Sequence, residues 1–181
     1  LVISNTHQAV NNALNKIAKN CEDATIVKVG EALKAEGLVE RIIRVKSYSE
    51  YATGKKINKR TAKFEVIGMT LHAGIFNLGL RRNDFNPSIV LVDEAGQMPL
   101  SHAACIGAFG CGSVVFIGDD KQMPPIYHQN LGNDPLSTSI FSFLTDLYPD
   151  FKNRLRVTYR MNKEITEVVS KNFYEKDGES L

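Results

Sequence analysis

Long hydrophobic runs and an excess of charge of one sign are both missing from this 181-residue sequence. No apolar stretch approaches the roughly 20 residues that a transmembrane helix needs, which argues against membrane insertion. The 22 Lys and Arg residues nearly balance the 20 Asp and Glu residues, and a net charge of +2 is too small for nucleic-acid binding by bulk electrostatics. Any contact with nucleic acid therefore depends on a local group of residues. The length allows one well-packed domain, or one domain and part of another.

Cysteine is also scarce. Cys21, Cys105 and Cys111 are odd in number and show no CxxC spacing, so the sequence suggests neither a disulfide framework nor a zinc site. This usage favours a reducing, intracellular compartment, cytoplasmic or nuclear. The chain opens at Leu1 without an initiator Met and without the basic region or cleavage site of a signal peptide. We therefore expect a segment from the middle of a larger protein.

Short runs rich in β-branched residues alternate with amphipathic segments along the chain. Uninterrupted apolar strands separated by helices are typical of a parallel sheet that is buried on both faces. The sequence therefore predicts a doubly wound α/β fold. The predicted strands are residues 1–4, 41–45, 64–69, 88–92 and 113–117, and the predicted helices are residues 9–18, 28–36 and 100–109.

Residues 47–63 interrupt this alternation, with five Lys or Arg and two Tyr. We interpret the segment as a basic surface excursion rather than core. Basic residues interleaved with aromatic ones could contact a nucleic-acid backbone, and a solvated loop is the alternative. Gly54 and Lys55 do not form a phosphate-binding loop, because GxxxxGK[ST] would need Gly at Ser49 and Ser or Thr at Lys56.

Polar side chains follow several of the predicted strands. Ligands of open parallel sheets bind at the carboxyl ends of the strands, so we expect these residues to lie at one functional edge. They are Ser4, Asn5 and Thr6; Thr70 and His72; Asp93 and Glu94; and residues 118–122.

Asp93 and Glu94 end a run of four apolar residues, 89–92. Nucleotide hydrolysis uses such a pair, one carboxylate to hold Mg²⁺ and a second to orient or deprotonate the attacking water. A charged turn or the start of a helix is the alternative interpretation. The later segment GDDKQMPP (118–125) adds Gln122, whose side chain can hydrogen-bond both a phosphate oxygen and a water.

These motifs, taken together, resemble those of superfamily one helicases. The similarity is greatest to the branch that includes the nonsense-mediated-decay RNA helicase and its nuclease-linked DNA relatives, and it implies a RecA-like P-loop NTPase fold. The matching segments are LVISNTHQAVNNAL (1–14), VIGMTLHAG (66–74), VDEAGQ (92–97), GDDKQMPP (118–125), SIFSFL (139–144), LRVTYRMNKEI (155–165) and NFYE (172–175).

The resemblance implies a set of roles in using ATP and Mg²⁺. Asp93 would be the Mg²⁺ partner and Glu94 the catalytic base. Gln122 would sense the γ-phosphate, and Arg160 would be an arginine finger that stabilises the transition state. Tyr159 would stack near the adenine, although a buried Tyr beside a strand end is the alternative.

The resemblance also implies contacts with DNA or RNA, most simply with a single strand. Asn5, Thr6 and Thr70 would hold phosphates of that strand. Helix capping is the alternative role for Asn5 and Thr6, and both roles can coexist. His7 and His72 have no metal-ligand spacing, so we assign them packing or strand contacts and no catalytic role.

The chain departs from the helicase pattern, because no GxxxxGK[ST] loop occurs in it. We therefore expect a fragment that is incomplete at both ends. Residues 1–157 would be the first RecA-like domain without its N-terminal strand and phosphate loop, and residues 158–181 the beginning of a second. Such a fragment would not hydrolyse ATP by itself and would work with other segments of the same parent protein. Two other readings are a decayed helicase core that binds nucleic acid without hydrolysis and another class of P-loop ATPase.

Overall fold

A single parallel sheet of six strands organises the chain in the computed structural model, which describes residues 1–58, 64–76, 85–127, 134–155 and 157–175. The strand order is β3-β2-β4-β1-β5-β6, and every pairing is parallel. The strands are β1 (Val2–Ser4), β2 (Ala24–Val29), β3 (Ile43–Val45), β4 (Phe64–Thr70), β5 (Ile89–Val92) and β6 (Ser113–Phe116).

Helices connect the strands and follow the last of them. The α-helices are α1 (His7–Asn20), α2 (Tyr48–Asn58), α3 (Leu71–Phe76), α4 (Ala103–Gly107), α5 (Ile140–Leu147) and α6 (Lys163–Val169), and α6 continues into a π-helical turn (Ser170–Tyr174). No helix in the described part of the chain is both long and apolar enough to cross a membrane.

Alternation along the strands divides the core into two layers. Val2 and Ile26 point to one face of the sheet, where they pack with Leu14 of α1. Ile3 and Val27 point to the other face, which is covered by side chains from α2, α4 and α5, such as Ile106. Burial on both faces confirms the predicted α/β sheet with helices on both sides. The proposed division at residue 157 stays a prediction.

The predicted helix over residues 28–36 is wrong, and one strand was missed. Residues Ala24–Val29 form β2, between β3 and β4, and only the short segment Ala32–Ala35 is helical, as a single 3-10 turn. The strand ATIVKV contains one charged residue, Lys28, and its side chain is buried in the structure. The other predicted strands and the helices at 9–18 and 100–109 are confirmed, with ends shifted by a few residues.

The interpretation of residues 47–63 as a surface excursion is wrong for the part that the structure describes. Residues Tyr48–Asn58 form α2, and Tyr51 belongs to the core with 5% of its surface exposed. The Tyr48 ring packs against Phe85 with a centroid separation of 4.6 Å. The two tyrosines therefore anchor a helix to the sheet. Residues 59–63, which carry three of the five basic side chains, lie outside the described residues.

Lys28 is a buried cation with 2% of its surface exposed. Its Nζ lies 3.2 Å from His7 Nδ1 and donates a hydrogen bond to the carbonyl of Val29 over 3.3 Å. Desolvation lowers the pKa of Lys28 from an ordinary value of 10.5 to about 8. Burial is also the main reason that the pKa of His7 is lowered, and the charge of Lys28 adds to the effect.

This burial predicts that Lys28→Met stabilises the fold at pH 7. Below pH 8 the folded chain carries a desolvated charge, and removing it is expected to raise the free energy of unfolding by about 2 kcal/mol. Between pH 8 and 10.5 the folded state loses its proton before the unfolded state does, so the advantage of Met shrinks and then disappears. Urea denaturation of both chains at pH 7, 9 and 10.5 measures this difference in the free energy of unfolding.

The matched control is Lys19→Met, which removes a charge from an exposed position in the last turn of α1. It is expected to leave stability unchanged or slightly lower at every pH. A loss of stability in Lys28→Met at pH 7 would contradict the expected cost of the buried charge.

Candidate active site at the carboxyl edge of the sheet

The carboxylate pair lies in a tight turn directly after β5. The Asp93 N–H still bonds to the carbonyl of Ile3 over 2.8 Å, so Asp93 is held in line with β1. Glu94 then adopts a left-handed conformation with φ of 58° and ψ of 37°, and its N–H donates to Asp93 Oδ1 over 3.1 Å. It is the only non-glycine residue with positive φ among the described residues. Because this conformation costs about 1 to 2 kcal/mol, the fold holds Glu94 in it against a local preference.

Two glycines let the turn after β5 touch the turn after β6. A Cβ on Gly96 would lie 2.5 Å from the carbonyl oxygen of Asp119, and a Cβ on Gly118 would lie 2.7 Å from the nitrogen of Gly96. The Ala95 N–H also donates to the carbonyl of Ile117 over 2.9 Å. The motifs DEAG and GDD are therefore in direct backbone contact.

Asp119 is the centre of a hydrogen-bond network in the turn after β6. Its Oδ1 accepts from the Lys121 N–H over 2.9 Å, and its Oδ2 accepts both from Gln122 Nε2 over 2.9 Å and from the Tyr174 hydroxyl over 2.5 Å. These bonds outweigh the effect of partial burial and lower the pKa of Asp119. Burial and the carboxylate raise the pKa of Tyr174 to about 12. Asp119 is thus an anion that fixes the amide of Gln122.

A cleft of about 580 Å³ opens beside the carboxylate pair. Asp93, Glu94 and Arg160 all line it, together with Thr6 and Lys16. The structure thus brings together two carboxylates and two cations that are far apart in sequence. Gln122 is not part of the lining, but it belongs to the turn that contacts the Glu94 turn through Gly96 and Gly118.

The residues predicted to contact nucleic acid have local roles in the structure. Thr6 caps α1, because its Oγ1 accepts from the Ala9 N–H over 3.2 Å. Asn5 Nδ2 donates to the carbonyl of Gln97 over 3.0 Å and so ties β1 to the turn after β5. Thr70 is 5% exposed, and its hydroxyl accepts from the Ala73 N–H in the first turn of α3. The capping alternative is confirmed for Thr6, and the binding roles of all three stay predictions.

Tyr159 is almost fully in contact with solvent. Its exposed fraction is 95%, so the alternative of a buried Tyr beside a strand end is wrong. Arg160 is also exposed, and its backbone N–H makes a long bond of 3.4 Å to Thr158 Oγ1. The segment before α6 therefore presents two large exposed side chains, of which Arg160 lines the cleft.

In the described part of the chain, the edge of the sheet offers Asp93 as a cleft-lining carboxylate ligand rather than a cluster of several protein ligands. The described residues contain no group of three or more His, Cys, Asp or Glu side chains placed to share a metal ion. Mg²⁺ is commonly held by one or two carboxylates while its other positions are filled by water and by substrate phosphates. Asp93 meets that requirement, since it lines the cleft and the described residues give its carboxylate one hydrogen-bond donor, the N–H of Glu94.

Sequence reasoning did not assign roles to Asp119, Tyr174, Gln97 and Lys16. Asp119 and Tyr174 do stand in two of the motifs that carry the helicase resemblance, GDDKQMPP and NFYE. Their separation of 55 positions gave no sign that they form a hydrogen bond. Gln97 also stands in such a motif, VDEAGQ, but its contact with Asn5 is made through its backbone carbonyl, and Lys16 lies on a helix face with no local signal.

Comparison with known proteins identifies relatives over most of the chain. The chain is 32% identical to the DNA replication ATP-dependent helicase/nuclease dna2 of Schizosaccharomyces pombe across 96% of its own length, which is 12% of that protein. It is 28% identical to an uncharacterized ATP-dependent helicase of Methanocaldococcus jannaschii across 82% of the chain, or 21% of that protein. A regulator of nonsense transcripts 1 homolog of Neurospora crassa is 36% identical over 48% of the chain and 8% of its own length. This chain is homologous to a segment of ATP-dependent helicases.

The chain spans about an eighth to a fifth of the length of the first two relatives. No protein-family profile matches it. The relatives confirm the resemblance seen in the motifs, to the helicase/nucleases and to the nonsense-transcript regulator alike.

The contact between the turns after β5 and β6 predicts that Gly96→Ala is strongly destabilising. The new methyl group would meet the backbone of Asp119, which cannot move aside as a flexible side chain can. The free energy of unfolding is expected to fall by about 3 kcal/mol, as for other overpacked sites. Chemical denaturation followed by circular dichroism measures the loss.

Gly107→Ala is the matched control for this substitution. Gly107 lies at the end of α4, and a Cβ built on it has no neighbour within 4 Å. Its replacement is expected to leave stability unchanged or slightly higher, because Ala is the better helix former. Equal stability of the two variants would show that the turns separate easily.

Proposed function

We propose that this chain is the part of an ATP-dependent helicase or translocase that holds the catalytic carboxylates of its ATP site. The observation that carries the proposal is the convergence of Asp93, Glu94 and Arg160 in one cleft at the carboxyl edge of a parallel sheet. Relatives named as ATP-dependent helicases support it. The whole protein would hydrolyse ATP with Mg²⁺ and act on DNA or RNA, as a single strand or a duplex.

Asp93 and Glu94 divide the chemistry by their positions in the turn. Asp93 continues the line of β5 and would hold Mg²⁺, which when bound neutralises charge on the phosphates. Glu94 is exposed and turned out of the strand by its left-handed backbone. Its carboxylate would accept a proton from the water that attacks the γ-phosphate.

Arg160 and Gln122 would act on the triphosphate and on the attacking water. The guanidinium of Arg160 can donate several hydrogen bonds to phosphate oxygens and would stabilise the charge that develops in the transition state. Gln122 has its Nε2 fixed by Asp119, which leaves its carbonyl oxygen to orient water. Tyr159 is exposed and free to stack on the adenine.

Contacts to the nucleic acid would come from the same edge of the sheet. Thr6 accepts one hydrogen bond at its oxygen, and its hydroxyl proton remains available for a phosphate oxygen. The first N–H groups of α1 also point toward this edge and favour an anion. Asn5 and Thr70 would support that contact from the ends of β1 and β4. Such contacts address phosphates and do not distinguish DNA from RNA.

The phosphate loop would be provided by another part of the parent protein. Within the described residues β6 pairs on one side only, with β5, and Val115 and Ile117 beside it are 46% and 48% exposed. An added strand at this edge would pair with β6 and bring its own carboxyl end next to the turn after β6, which in turn contacts the Glu94 turn. Residues 1–157 and 158–181 would then belong to two RecA-like domains. The cytoplasmic or nuclear location stays a prediction.

The assignment of the base predicts that Glu94→Gln in the full-length protein abolishes turnover without loss of ATP binding. Gln keeps the shape of Glu but cannot accept the proton, so the hydrolysis rate is expected to fall by at least about a hundredfold. The measurement is steady-state ATPase activity with single-stranded DNA and with RNA, alongside an ATP-binding titration. If the ATPase rate in the presence of nucleic acid were unchanged in Glu94→Gln, Glu94 would not be the catalytic base. If the wild-type protein bound nucleic acid without ATP and hydrolysed no ATP, the alternative of a decayed helicase core would be favoured.

The role of Arg160 is tested by Arg160→Ala with Arg160→Lys beside it. Loss of a finger residue typically lowers turnover by about a thousandfold or more, while ATP binding is expected to remain nearly intact. Lys keeps the charge but not the forked donor geometry, so we expect it to restore only part of the rate. If Ala and Lys both turned over at the wild-type rate, Arg160 would not stabilise the transition state.

A further inference from the structure

The Tyr174 hydroxyl and the Gln122 amide meet at one carboxylate oxygen, Asp119 Oδ2. Tyr174 comes from the π-helical turn that follows α6, whereas Gln122 lies in the turn after β6. These two hydrogen bonds connect the segment that follows α6 to the turn that carries Gln122, the predicted γ-phosphate sensor. None of the roles proposed above for the ATP site uses this link.

The two bonds to Asp119 Oδ2 depend on each other. Bonds of 2.5 Å from Tyr174 and 2.9 Å from Gln122 draw on one oxygen, while Oδ1 is held by the backbone of Lys121. With Tyr174 in place both carboxylate oxygens accept from donors outside the Gln122 side chain, which restricts the position at which Oδ2 holds the Gln122 amide. Without Tyr174 the carboxylate keeps the Lys121 N–H on Oδ1 but loses one of the two donors on Oδ2, so Oδ2 and the Gln122 amide bonded to it are less restrained.

The backbone on which this network stands is fixed independently. Asp119 lies directly after Gly118, and both are in contact with Gly96 in the Glu94 turn. The π-helical turn is held by Ser170, which is 4% exposed and bonds to Glu175 Oε1 over 3.2 Å. Pi-helical turns place a side chain where an α-helix would not, and they are frequent at functional sites. Only the side chains of Asp119, Gln122 and Tyr174 can therefore change position relative to this backbone.

We infer that Tyr174 is a positioning residue for ATP hydrolysis, which sets the orientation of the Gln122 side chain through Asp119 and ties it to the α6 segment. This inference rests on the proposed ATPase function. The raised pKa of Tyr174, about 12, agrees with it, because the hydroxyl stays a donor throughout the physiological range. The lowered pKa of Asp119 likewise keeps the acceptor ionised.

The experiment uses Tyr174→Phe in the full-length protein that contains this chain. Phe keeps the ring and removes only the hydroxyl, so folding is expected to be preserved, as a thermal melt will show. We expect kcat for stimulated ATP hydrolysis to fall about tenfold, the size typical of one lost charge-assisted hydrogen bond. KM for ATP is expected to stay within about twofold, because Tyr174 is not among the residues that line the cleft.

A second arm asks whether Tyr174 acts through Gln122. If it does, the variant with both Tyr174→Phe and Gln122→Ala turns over no more slowly than Gln122→Ala alone, since the residues form one unit. The side-chain amide resonances of Gln122 are also expected to shift in Tyr174→Phe, a readout that needs no turnover. Asp119→Asn, which weakens both bonds, should reproduce the loss of kcat.

The matched control is Tyr51→Phe. Tyr51 also donates to a carboxylate, Glu65 Oε1, over 2.6 Å, but it lies on α2 in the core and away from the cleft. It is expected to lose stability without a change in kcat. A wild-type kcat in Tyr174→Phe, additive effects with Gln122→Ala, or an equal loss in Tyr51→Phe would overturn the inference. An absence of turnover in the wild-type protein would instead overturn the proposed function.

Discussion

The backbone contact between the turns after β5 and β6 is the constraint on which the site depends. Gly96 and Gly118 allow these turns to approach within a distance that no side chain would permit, and the bond from Ala95 to Ile117 fixes their register. Glu94 stands two residues before Gly96, and Asp119 directly follows Gly118. The carboxylate that would activate water and the network that holds Gln122 therefore share one rigid support.

Two features at this edge of the sheet lower the stability of the fold. Glu94 is kept in a left-handed conformation, and Lys28 is kept buried and charged beside His7. Both features oppose stability, and the sheet and its two apolar layers offset them. Costly features held in place by a well-packed scaffold are expected where a protein uses its side chains for chemistry or binding.

The sequence predicted the class of fold because periodicity reports burial. The runs that became β1, β4, β5 and β6 are apolar and short, and the helix after β1 repeats its apolar positions every three or four residues. The prediction from sequence failed where polar or charged residues belong to elements that pack against the core. Lys28 interrupts the apolar run of β2, yet its side chain is buried and its amine donates to the carbonyl of Val29. The polar residues around Tyr48 and Tyr51 concealed α2, because two aromatic side chains were enough to anchor that helix.

The sequence by itself determined the parallel sheet, the edge at which polar chemistry collects, and the residues of the motifs that resemble a helicase. These follow from local patterns, since the carboxyl ends of parallel strands meet at one edge whatever the loops do. Only the tertiary structure decided which of those residues meet. The cleft shared by Asp93, Glu94 and Arg160 and the bond from Tyr174 to Asp119 join positions that are distant in the chain. Such contacts depend on how helices and turns pack, and local sequence patterns carry no record of that.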